Sequence, residues 1–386
     1  MTGDAALAAA LTAEIGTVLA AHEAPDAQFA LAYGGRVIAQ GSCGAVDDSS
    51  LFCAFSASKP VFASLILQLI GQKELSLDTR IVDLWPEFGA HGKGDITLEH
   101  LLLHTAAIPG WFPVPPAVFS RSERARQAEG LVVEWTPGYG TGYHSVSAHW
   151  VMAEIVMRVT GKDYRAALRQ RILDPLGLER IRFGVPVFDS HRPRAIRRIG
   201  EPRPEQFTAL FGAAVSLADV IAAEEAALAH AENAEVIALG TPGAGMITDA
   251  ASLALFYQAL LHDPRGVWDG GLLRIATTEV RNALPEPSRA GASANRAVGG
   301  FVVAGNERTV QTIPEIGMAR PVRWFGTRVS DRTFGHRGAG GQLAFADPDR
   351  GLSFVFLTSD YVRDVVQDER RALEIADVVI DVFDAH

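Results

Sequence analysis

The stretch from Val61 to Ile70 is apolar on almost every side and ends at Gly71. An α-helix that is hydrophobic all round is buried in a protein rather than laid on its surface. Pro60 falls in the first turn, where backbone amides have no intrahelical acceptor, so its missing N–H costs little. The sequence therefore predicts a buried central helix whose N-terminus lies close to Ser56.

Ser56 and Lys59 stand three residues apart at the start of this helix. Side chains at this spacing share a helix face, with Cβ atoms about 5–6 Å apart, so the Lys59 amine can reach the Ser56 hydroxyl. The helix dipole would favour negative charge developing there. The pair indicates a serine nucleophile, in a chain with only four lysines against 31 arginines. The competing interpretation is a helix cap, Ser56 or Ser58, followed by an unrelated lysine.

Length and charge exclude several classes of protein. A chain of 386 residues can bury a large core, as one big domain or two intertwined ones. The net charge of −10, from 35 basic and 45 acidic residues, argues against nucleic acid or an anionic membrane as a partner. One small basic cluster, interpreted as a solvated loop, comprises Arg192, Arg194, Arg197 and Arg198.

The N-terminal residues lack the basic segment and long apolar run of a secretory signal, and no stretch is apolar for eighteen residues. We therefore expect no membrane span and a cytoplasmic location. Cys43 and Cys53 are too few for a disulfide framework and are expected to be free thiols in a reducing compartment. Cys53 lies near Ser56, but packing in its apolar run is favoured over a role as nucleophile.

The spacing of apolar residues divides the chain into three regions. The first and the last have both helix and strand patterns, and the middle one has mainly helix patterns. Apolar residues at helical spacing predict a helix over 4–23, and Gly34-Gly35 predicts a hairpin between strands 29–33 and 36–40. The middle of the chain is dominated by helical patterns, over 96–104, 147–159, 164–172 up to Asp174-Pro175, and 250–261 after Thr248 as a candidate cap.

Strand patterns return near the end of the chain, and a final helix is predicted over 366–383. The order indicates an α+β fold, in which both chain ends build one sheet and a helical region is inserted between them. We expect a sheet domain formed by 1–75 and 295–386 and a mainly helical domain formed by 76–294. The late strands are predicted over 299–304, 322–327, 342–346 and 352–357, with a turn over 347–351.

Three short motifs occur in order along the chain: Ser56-Ala57-Ser58-Lys59, Tyr143-His144-Ser145 and His336-Arg337-Gly338. With these motifs the region from 25 to 360 resembles the serine β-lactamase and penicillin-recognising hydrolase superfamily, in its class C-like branch of esterases and D-peptidases. The resemblance implies a helix-flanked antiparallel sheet beside an all-helical region, with the active site in the groove between them.

The resemblance also implies roles for the motif residues. Ser56 would attack an acyl carbonyl. Either Lys59, with a lowered pKa, or Tyr143, held as a phenolate by Lys59, would be the base. The backbone amides of Ser56 and Ala339 would form the oxyanion hole. Further substrate contacts are expected from His336, Gly338, Ser145 and Trp111.

Two departures from the family pattern bear on the substrate. Ser145 replaces an asparagine that grips a substrate amide, and His336 replaces a lysine that supplies fixed positive charge. Uncharged esters are therefore favoured over penicillin-like substrates. Five aromatic residues would line an apolar acyl pocket: Trp111, Phe112, Trp135, Tyr139 and Trp150. For each of them ordinary packing is the alternative. Residues 183–240 are expected to shape the specificity.

Two other kinds of site fit the sequence poorly. His100 and His104 have the spacing of zinc ligands, but Leu101 stands where a zinc protease needs glutamate, so capping or core histidines are favoured. The run Gly338–Gly341 lacks the third glycine of a dinucleotide loop, because Leu343 occupies that position. No metal or cofactor is expected.

The predicted function is a serine hydrolase that cleaves carboxylic esters of small acyl groups through an acyl-enzyme on Ser56. A small-molecule ester is the expected partner, with no nucleic acid and no membrane. Three alternatives remain open: a D-amino-acid peptidase or amidase, an acyltransferase that uses the same acyl-enzyme, and a non-catalytic binding protein with this fold. A weak β-lactamase side activity is compatible with the prediction.

Overall fold

A six-stranded antiparallel sheet, assembled from both ends of the chain, is the centre of the fold. The computed structural model describes residues 3–211 and 216–386. The strands of this sheet lie in the order β2-β1-β12-β11-β10-β7, and their bounds are β1 Ala27–Tyr33, β2 Arg36–Cys43, β7 Val302–Val303, β10 Phe334–Gly338, β11 Gln342–Asp347 and β12 Leu352–Thr358. The α+β prediction is confirmed, because β1 lies between β2 and β12, so the N-terminal hairpin joins the strands that follow residue 300.

Helices occupy most of the chain between the two sets of strands. The α-helices are α1 Gly3–Ala21, α2 Lys59–Gly71, α3 Ile81–Leu84, α4 Leu98–Leu102, α5 Arg121–Glu129, α6 Ser147–Thr160, α7 Tyr164–Leu168, α8 Asp174–Leu176, α9 Pro204–Phe211, α10 Leu217–Glu232, α11 Ala234–Leu239, α12 Ala250–His262, α13 Gly270–Thr278 and α14 Val365–Asp384. The short strands outside the main sheet are β3 Phe52–Cys53, β4 Arg182–Phe183, β5 Arg197–Ile199, β6 Met246–Thr248, β8 Val310–Ile313, β9 Met318–Pro321 and β13 Asp360–Val362.

Both faces of the main sheet are covered, because side chains alternate along each strand. On one face Phe29 and Leu31 of β1 join an apolar cluster with residues of α1 and α14. On the other face Ala30 and Ala32 of the same strand join a larger cluster that contains α2 and α12. The small alanines allow these two helices to approach the sheet closely. The predicted burial of α2 is confirmed, since almost all its side chains are inaccessible to solvent.

The first helix also satisfies the length and hydropathy test for crossing a membrane, which core helices of globular proteins pass as well. Its apolar stripe is used inside the protein: Leu7, Leu11 and Ile15 are buried in the cluster shared with α14. The two cysteines, Cys43 and Cys53, are free thiols, as predicted.

Several strand predictions near the end of the chain are wrong. The 322–327 segment is not a strand, because Phe325 and Gly326 have positive φ values of 65° and 87°, which interrupt extended backbone. The strand predicted over 299–304 shortens to β7, since Gly300 also has a left-handed φ of 71°. Strand β10 was not predicted, because a segment with glycine at two of five positions has low strand propensity and is stabilised by its neighbours β11 and β7 instead.

The helix bounds differ where local geometry overrides the pattern. Helix α4 ends before His104, whose φ of 61° is left-handed. The helix that begins at Tyr164 continues through a π-helical turn and α8, and it ends at Gly177 with a φ of 69°. The Asp174-Pro175 pair does not end it at Ile172, and Pro175 lies in its last turn, two residues before Gly177. Asp249, rather than Thr248, caps α12 by accepting a hydrogen bond from the Ser252 amide.

Gln258 of α12 connects this helix to the sheet. Its side-chain nitrogen donates to the carbonyl oxygens of Ala32 and Gly351 and to the Ser353 hydroxyl, at 3.0 to 3.2 Å. Its side-chain oxygen accepts from the Gly35 amide at 2.9 Å. One buried amide therefore satisfies polar groups from both ends of the chain.

We predict that Gln258→Ala lowers the free energy of unfolding by about 2–4 kcal/mol, because it leaves buried backbone groups without partners. Chemical denaturation measures this loss. Gln72→Ala, at an exposed position that follows α2, is the control and should change the stability by less than about 0.5 kcal/mol. Equal effects of the two substitutions would show that the Gln258 network does not contribute.

Candidate active site

Ser56 lies on a short 3-10 turn, Phe55–Ser58, between β3 and α2. The preceding residue, Phe55, has a φ of 45°, a left-handed conformation that costs a non-glycine residue roughly 1–2 kcal/mol. Strain of this kind is maintained only where the surrounding structure imposes it, and it concentrates at functional sites. The sharp turn leaves the Ser56 side chain half-buried on the wall of a cavity.

The Lys59 side chain is fully buried, and its amine contacts three oxygen atoms. Nζ lies 3.1 Å from the Ser56 hydroxyl oxygen. It donates to the carbonyl oxygen of Ser145 at 2.7 Å and to that of Gly243 at 2.9 Å. The predicted Ser56–Lys59 contact is therefore present, and two backbone segments far away in sequence fix the direction of the amine.

The position of the Gly243 carbonyl depends on the absence of a side chain at this residue. Gly243 has a φ of 74°, and a Cβ atom here would lie 2.5 Å from the ring of His149 on α6. Glycine alone allows this close approach. The Gly243 contact with Lys59 was not predicted, although a proline–glycine pair at 242–243 is a recognisable turn signal.

Burial of the Lys59 side chain favours the neutral form of its amine. Burial holds the pKa of Lys59 well below its usual range, and the positive charge of Arg296 acts in the same direction. A neutral amine has two N–H groups and one lone pair. The carbonyl oxygens of Ser145 and Gly243 can only accept hydrogen bonds, so they take both N–H groups. The lone pair then faces the Ser56 hydroxyl.

Tyr143 approaches Ser56 from a different direction. Its hydroxyl donates to the Ser56 oxygen at 2.7 Å, and the Lys59 amine lies 5.0 Å from the centre of its ring. Burial raises the pKa of the Tyr143 phenol to about 12, although the Ser56 hydrogen bond and Arg296 oppose this shift. At neutral pH Tyr143 is therefore a phenol that donates a proton, rather than a phenolate.

A buried ion pair that was not predicted from the sequence lies beside Tyr143. The Arg296 guanidinium is centred 5.2 Å from the Tyr143 ring centre. It pairs with Glu286 at 3.1 Å, and both side chains are almost completely buried. Arg296 precedes β7 in a loop, and nothing in the local sequence distinguishes it from the other 30 arginines. It supplies a fixed positive charge near the Ser56–Lys59–Tyr143 cluster.

The third motif lies on β10, with alternate residues on opposite faces. The His336 ring is 6.3 Å from that of Tyr143, and its Nδ1 donates to the Arg337 carbonyl oxygen at 2.5 Å. Burial, reinforced by the positive charge of Arg296, holds the pKa of His336 well below its usual range, so the ring is neutral. Arg337 points away and bonds Asp368 at 3.2 Å, as strand alternation predicts.

Gly338 brings β10 against the turn that carries Ser56. A Cβ atom at Gly338 would lie 2.4 Å from the Ala54 carbonyl oxygen, so only glycine allows this approach. As a result the next residue, Ala339, lines the same cavity as Ser56. The structure thus brings together Ser56, Lys59, Tyr143, Ser145, His336, Gly338 and Ala339.

The cavity beside Ser56 has a volume of about 140 Å³ and a mainly apolar lining. Residues from α10, α11 and β6 close it. Helices α10 and α11 belong to the segment 183–240, which is expected to shape the specificity. Within that segment, 212–215 lies outside the described residues. Ser145 is on its rim. The large apolar side chains of the lining are Phe55, Phe112, Leu228, Ile237, Ile247 and Tyr361.

Trp111 is not at this cavity, contrary to the prediction. Its indole N–H donates to the Gln127 side chain at 3.1 Å, and its ring packs in the apolar core with Trp150. A buried indole needs a hydrogen-bond partner, and Gln127 of α5 provides one away from Ser56. The neighbouring Phe112 faces the cavity instead.

Cys53 also lines the cavity, but its chemistry does not fit a nucleophile. Burial raises the pKa of its thiol to about 11. The reactive form of cysteine is the thiolate, which is therefore suppressed at neutral pH. Cys53 acts as an apolar wall residue.

The histidines considered as zinc ligands have other partners. His100 and Thr97 form a reciprocal cap at the start of α4. His104 is buried, and its Nδ1 accepts a hydrogen bond from the His144 amide at 3.1 Å. Among residues 3–211 and 216–386, no group of three or more potential ligands is arranged to hold a metal ion.

Several known proteins resemble this chain in sequence or in structure. Esterase/beta-lactamase LipL of Mycobacterium tuberculosis is 24% identical over 320 residues, 78% of this chain and 68% of that protein. Esterase EstB of Burkholderia gladioli is 29% identical over 188 residues, 41% of this chain, and the match spans 47% of EstB. A penicillin-binding protein homologue from Caulobacter crescentus superposes with a TM-score of 0.73, at 26% identity and 97% coverage of both chains. Residues 10–377 match the family model described as Beta-lactamase, and the chain therefore belongs to that family.

Proposed function

We propose that this protein is a serine hydrolase that cleaves carboxylic esters of small acyl groups through an acyl-enzyme on Ser56. The observation that carries the proposal is the position of the Ser56 hydroxyl oxygen, 3.1 Å from the Lys59 amine and 2.7 Å from the Tyr143 hydroxyl. A nucleophile with both a base and a proton donor in contact is what acyl transfer requires. The relatives named as esterases support the same activity.

In the first half of the reaction Lys59 acts as the base. Its lone pair takes the Ser56 hydroxyl proton while the oxygen forms a bond to the acyl carbon. The carbonyl π bond of the ester breaks to give an oxyanion. The backbone amides of Ser56 and Ala339 stabilise this charge, because donors that are already oriented need no rearrangement.

Tyr143 then serves as the proton donor. The bond between the acyl carbon and the ester oxygen breaks, and the departing alcohol oxygen takes the Tyr143 proton. The proton held on Lys59 neutralises Tyr143, assisted by the positive charge of Arg296 at 5.2 Å from the tyrosine ring. Water releases the acyl group through the same steps in reverse order, with Lys59 and Tyr143 again moving the protons.

The surroundings of Ser56 favour esters over amides and over substrates anchored by a carboxylate close to the reacting carbonyl group. His336 is neutral, so it offers no fixed charge to a substrate carboxylate. Ser145 has a shorter side chain than the asparagine of the family pattern, and its backbone carbonyl is occupied by Lys59. The adjoining cavity is mainly apolar. These features leave little to hold an acylamino group or a carboxylate beside Ser56, whereas the apolar part of an acyl chain fits the cavity.

We predict that a fluorophosphonate adds one label per chain and that Ser56→Ala abolishes both the label and ester turnover, because the only activated hydroxyl is removed. Intact mass spectrometry measures the label. Ser64→Ala, which removes a hydroxyl on the same helix that donates to the Val61 carbonyl oxygen, is the matched control and should still be labelled. Persistent labelling of Ser56→Ala would rule out Ser56 as the nucleophile.

The neutral state of Lys59 predicts a specific dependence of stability on pH. Where the folded amine is neutral and the unfolded lysine is protonated, unfolding takes up a proton. Stability therefore rises with pH up to the unfolded pKa of about 10.4. The difference in free energy of unfolding between the wild type and Lys59→Met should increase with pH, by at most about 1.4 kcal/mol per unit.

This difference is measured by denaturant titration between neutral and moderately alkaline pH. Lys162→Met, at an exposed position, is the control for loss of a lysine. A wild-type minus Lys59→Met difference that is constant over this range would mean that Lys59 stays charged in the folded protein, and the base would then have to be another group.

The substrate preference gives a further prediction. We expect kcat/KM for short-chain p-nitrophenyl esters to exceed that for a D-alanyl anilide or a chromogenic cephalosporin by at least about a hundredfold, near 2.7 kcal/mol. The physical reason is the missing grip on amides and carboxylates. Comparable efficiency on the D-alanyl anilide would favour the peptidase alternative.

A further inference from the structure

A second cavity of about 210 Å³ adjoins the acyl cavity beside Ser56. The two cavities share Cys53, Ala231 and Ile237 as lining residues, so these side chains form the boundary between them. The outer cavity is lined on its far side by the segment 192–196, which includes Arg192 and Arg194. We call it the arginine groove. The apolar cavity at Ser56 is therefore followed by a cavity that two arginines help to line.

The four arginines of this region divide into two pairs. Arg197 bonds Asp360 at 2.7 Å, and Arg198 bonds Glu225 and Glu232. Within the part of the chain that the structure describes, Arg192 and Arg194 bond only backbone carbonyl oxygens, those of Val187 and Ala45.

Two arginines and one carboxylate line the groove. Glu232 lines the groove, but its side chain bonds Arg198 at 3.0 Å. The guanidinium groups of Arg192 and Arg194 are exposed and carry no carboxylate partner among the described residues. Arginine presents a planar set of donors that matches the two oxygens of a carboxylate. The groove therefore suits a single terminal carboxylate.

The arginine groove lies on the acyl side of the reaction. The departing alcohol must be near Tyr143 to take its proton, and neither Tyr143 nor His336 is among the described residues that line the cavity at Ser56. Ser56 and Ala339 do line it. The acyl chain thus extends from Ser56 into the cavity, towards its boundary with the groove.

The distance from Ser56 to the boundary of the arginine groove is within reach of a medium-length acyl chain. Cys53 borders both cavities and precedes Ser56 by three residues, a span of at most about 11 Å along the backbone. The Arg194 amide bonds the Leu51 carbonyl oxygen, two residues further back on the same segment, at 2.7 Å. A long arginine side chain can turn back from there towards the boundary.

We propose that the preferred substrates are half-esters of dicarboxylic acids, in which the distal carboxylate of the acyl chain is bound by Arg192 and Arg194. The inference rests on the proposed ester hydrolysis at Ser56 and specifies its substrate class. Short dicarboxylic chains end inside the apolar cavity, where a charge is unfavourable. Longer chains carry the carboxylate to the arginines.

The test compares matched p-nitrophenyl esters: the suberate half-ester against the octanoate, and the succinate half-ester against the butanoate. The charged-to-neutral ratio of kcat/KM for the long pair should exceed that of the short pair by roughly tenfold at low salt. High salt should reduce this excess, because exposed charges are screened.

Substitution locates the effect. Arg192→Gln/Arg194→Gln should remove the tenfold excess, whereas Arg169→Gln, an exposed arginine paired with Asp174, should retain it. A long-pair ratio no larger than the short-pair ratio, or one unchanged in the double variant, would overturn the proposal while leaving ester hydrolysis intact.

Binding provides a readout that does not depend on turnover. Calorimetry of monoethyl suberate with the Ser56→Ala protein should show binding that weakens in the triple variant with both arginines replaced. If no ester is hydrolysed but this binding is observed, the arginine groove stands and the proposed function is contradicted. Absence of arginine-dependent binding would count against the groove.

Discussion

The buried amine of Lys59 is the interaction on which the rest of the site depends. It joins three separate parts of the chain: the start of α2, the Ser145 backbone and the Gly243 turn. Two of its three contacts are carbonyl oxygens, which determine where its lone pair points. The apolar helix α2 excludes water from the amine, and exclusion of water is what disfavours its charged form. The same packing that stabilises the core therefore favours the neutral amine that our proposal requires of Lys59.

A buried positive charge near the Lys59 amine disfavours protonation of that amine. Arg296 and its partner Glu286 lie buried beside Tyr143. Burial of an ion pair contributes little net stability, since desolvation offsets the attraction. Its effect on function is clearer, because a nearby positive charge lowers the pKa of Lys59 and stabilises negative charge on Tyr143. With neutral His336 nearby, this arrangement is consistent with the proposed movement of protons between Lys59 and Tyr143.

Much of this arrangement could be predicted from the sequence. The contact between Ser56 and Lys59 follows from helical spacing, and the two-ended sheet follows from the order of apolar patterns. Strand β10 could not be recognised, because its stability comes from pairing with β11 and β7 rather than from its own residues. Arg296 was missed for a similar reason: its burial depends on a partner ten residues away, in a loop without periodicity. Trp111 was misplaced because a hydrogen bond to Gln127, invisible in the pattern, decides its direction.

The protonation state of Lys59 is the central claim, and the small number of lysines makes it directly measurable. In protein labelled with ¹³C at the lysine Cε, NMR should give four signals. The Lys59 signal is identified by its loss in Lys59→Arg. We predict that this signal has the chemical shift of a neutral amine at neutral pH and titrates well below the range of an ordinary lysine. A Lys59 signal that titrates near the normal value of about 10.4 would contradict the account.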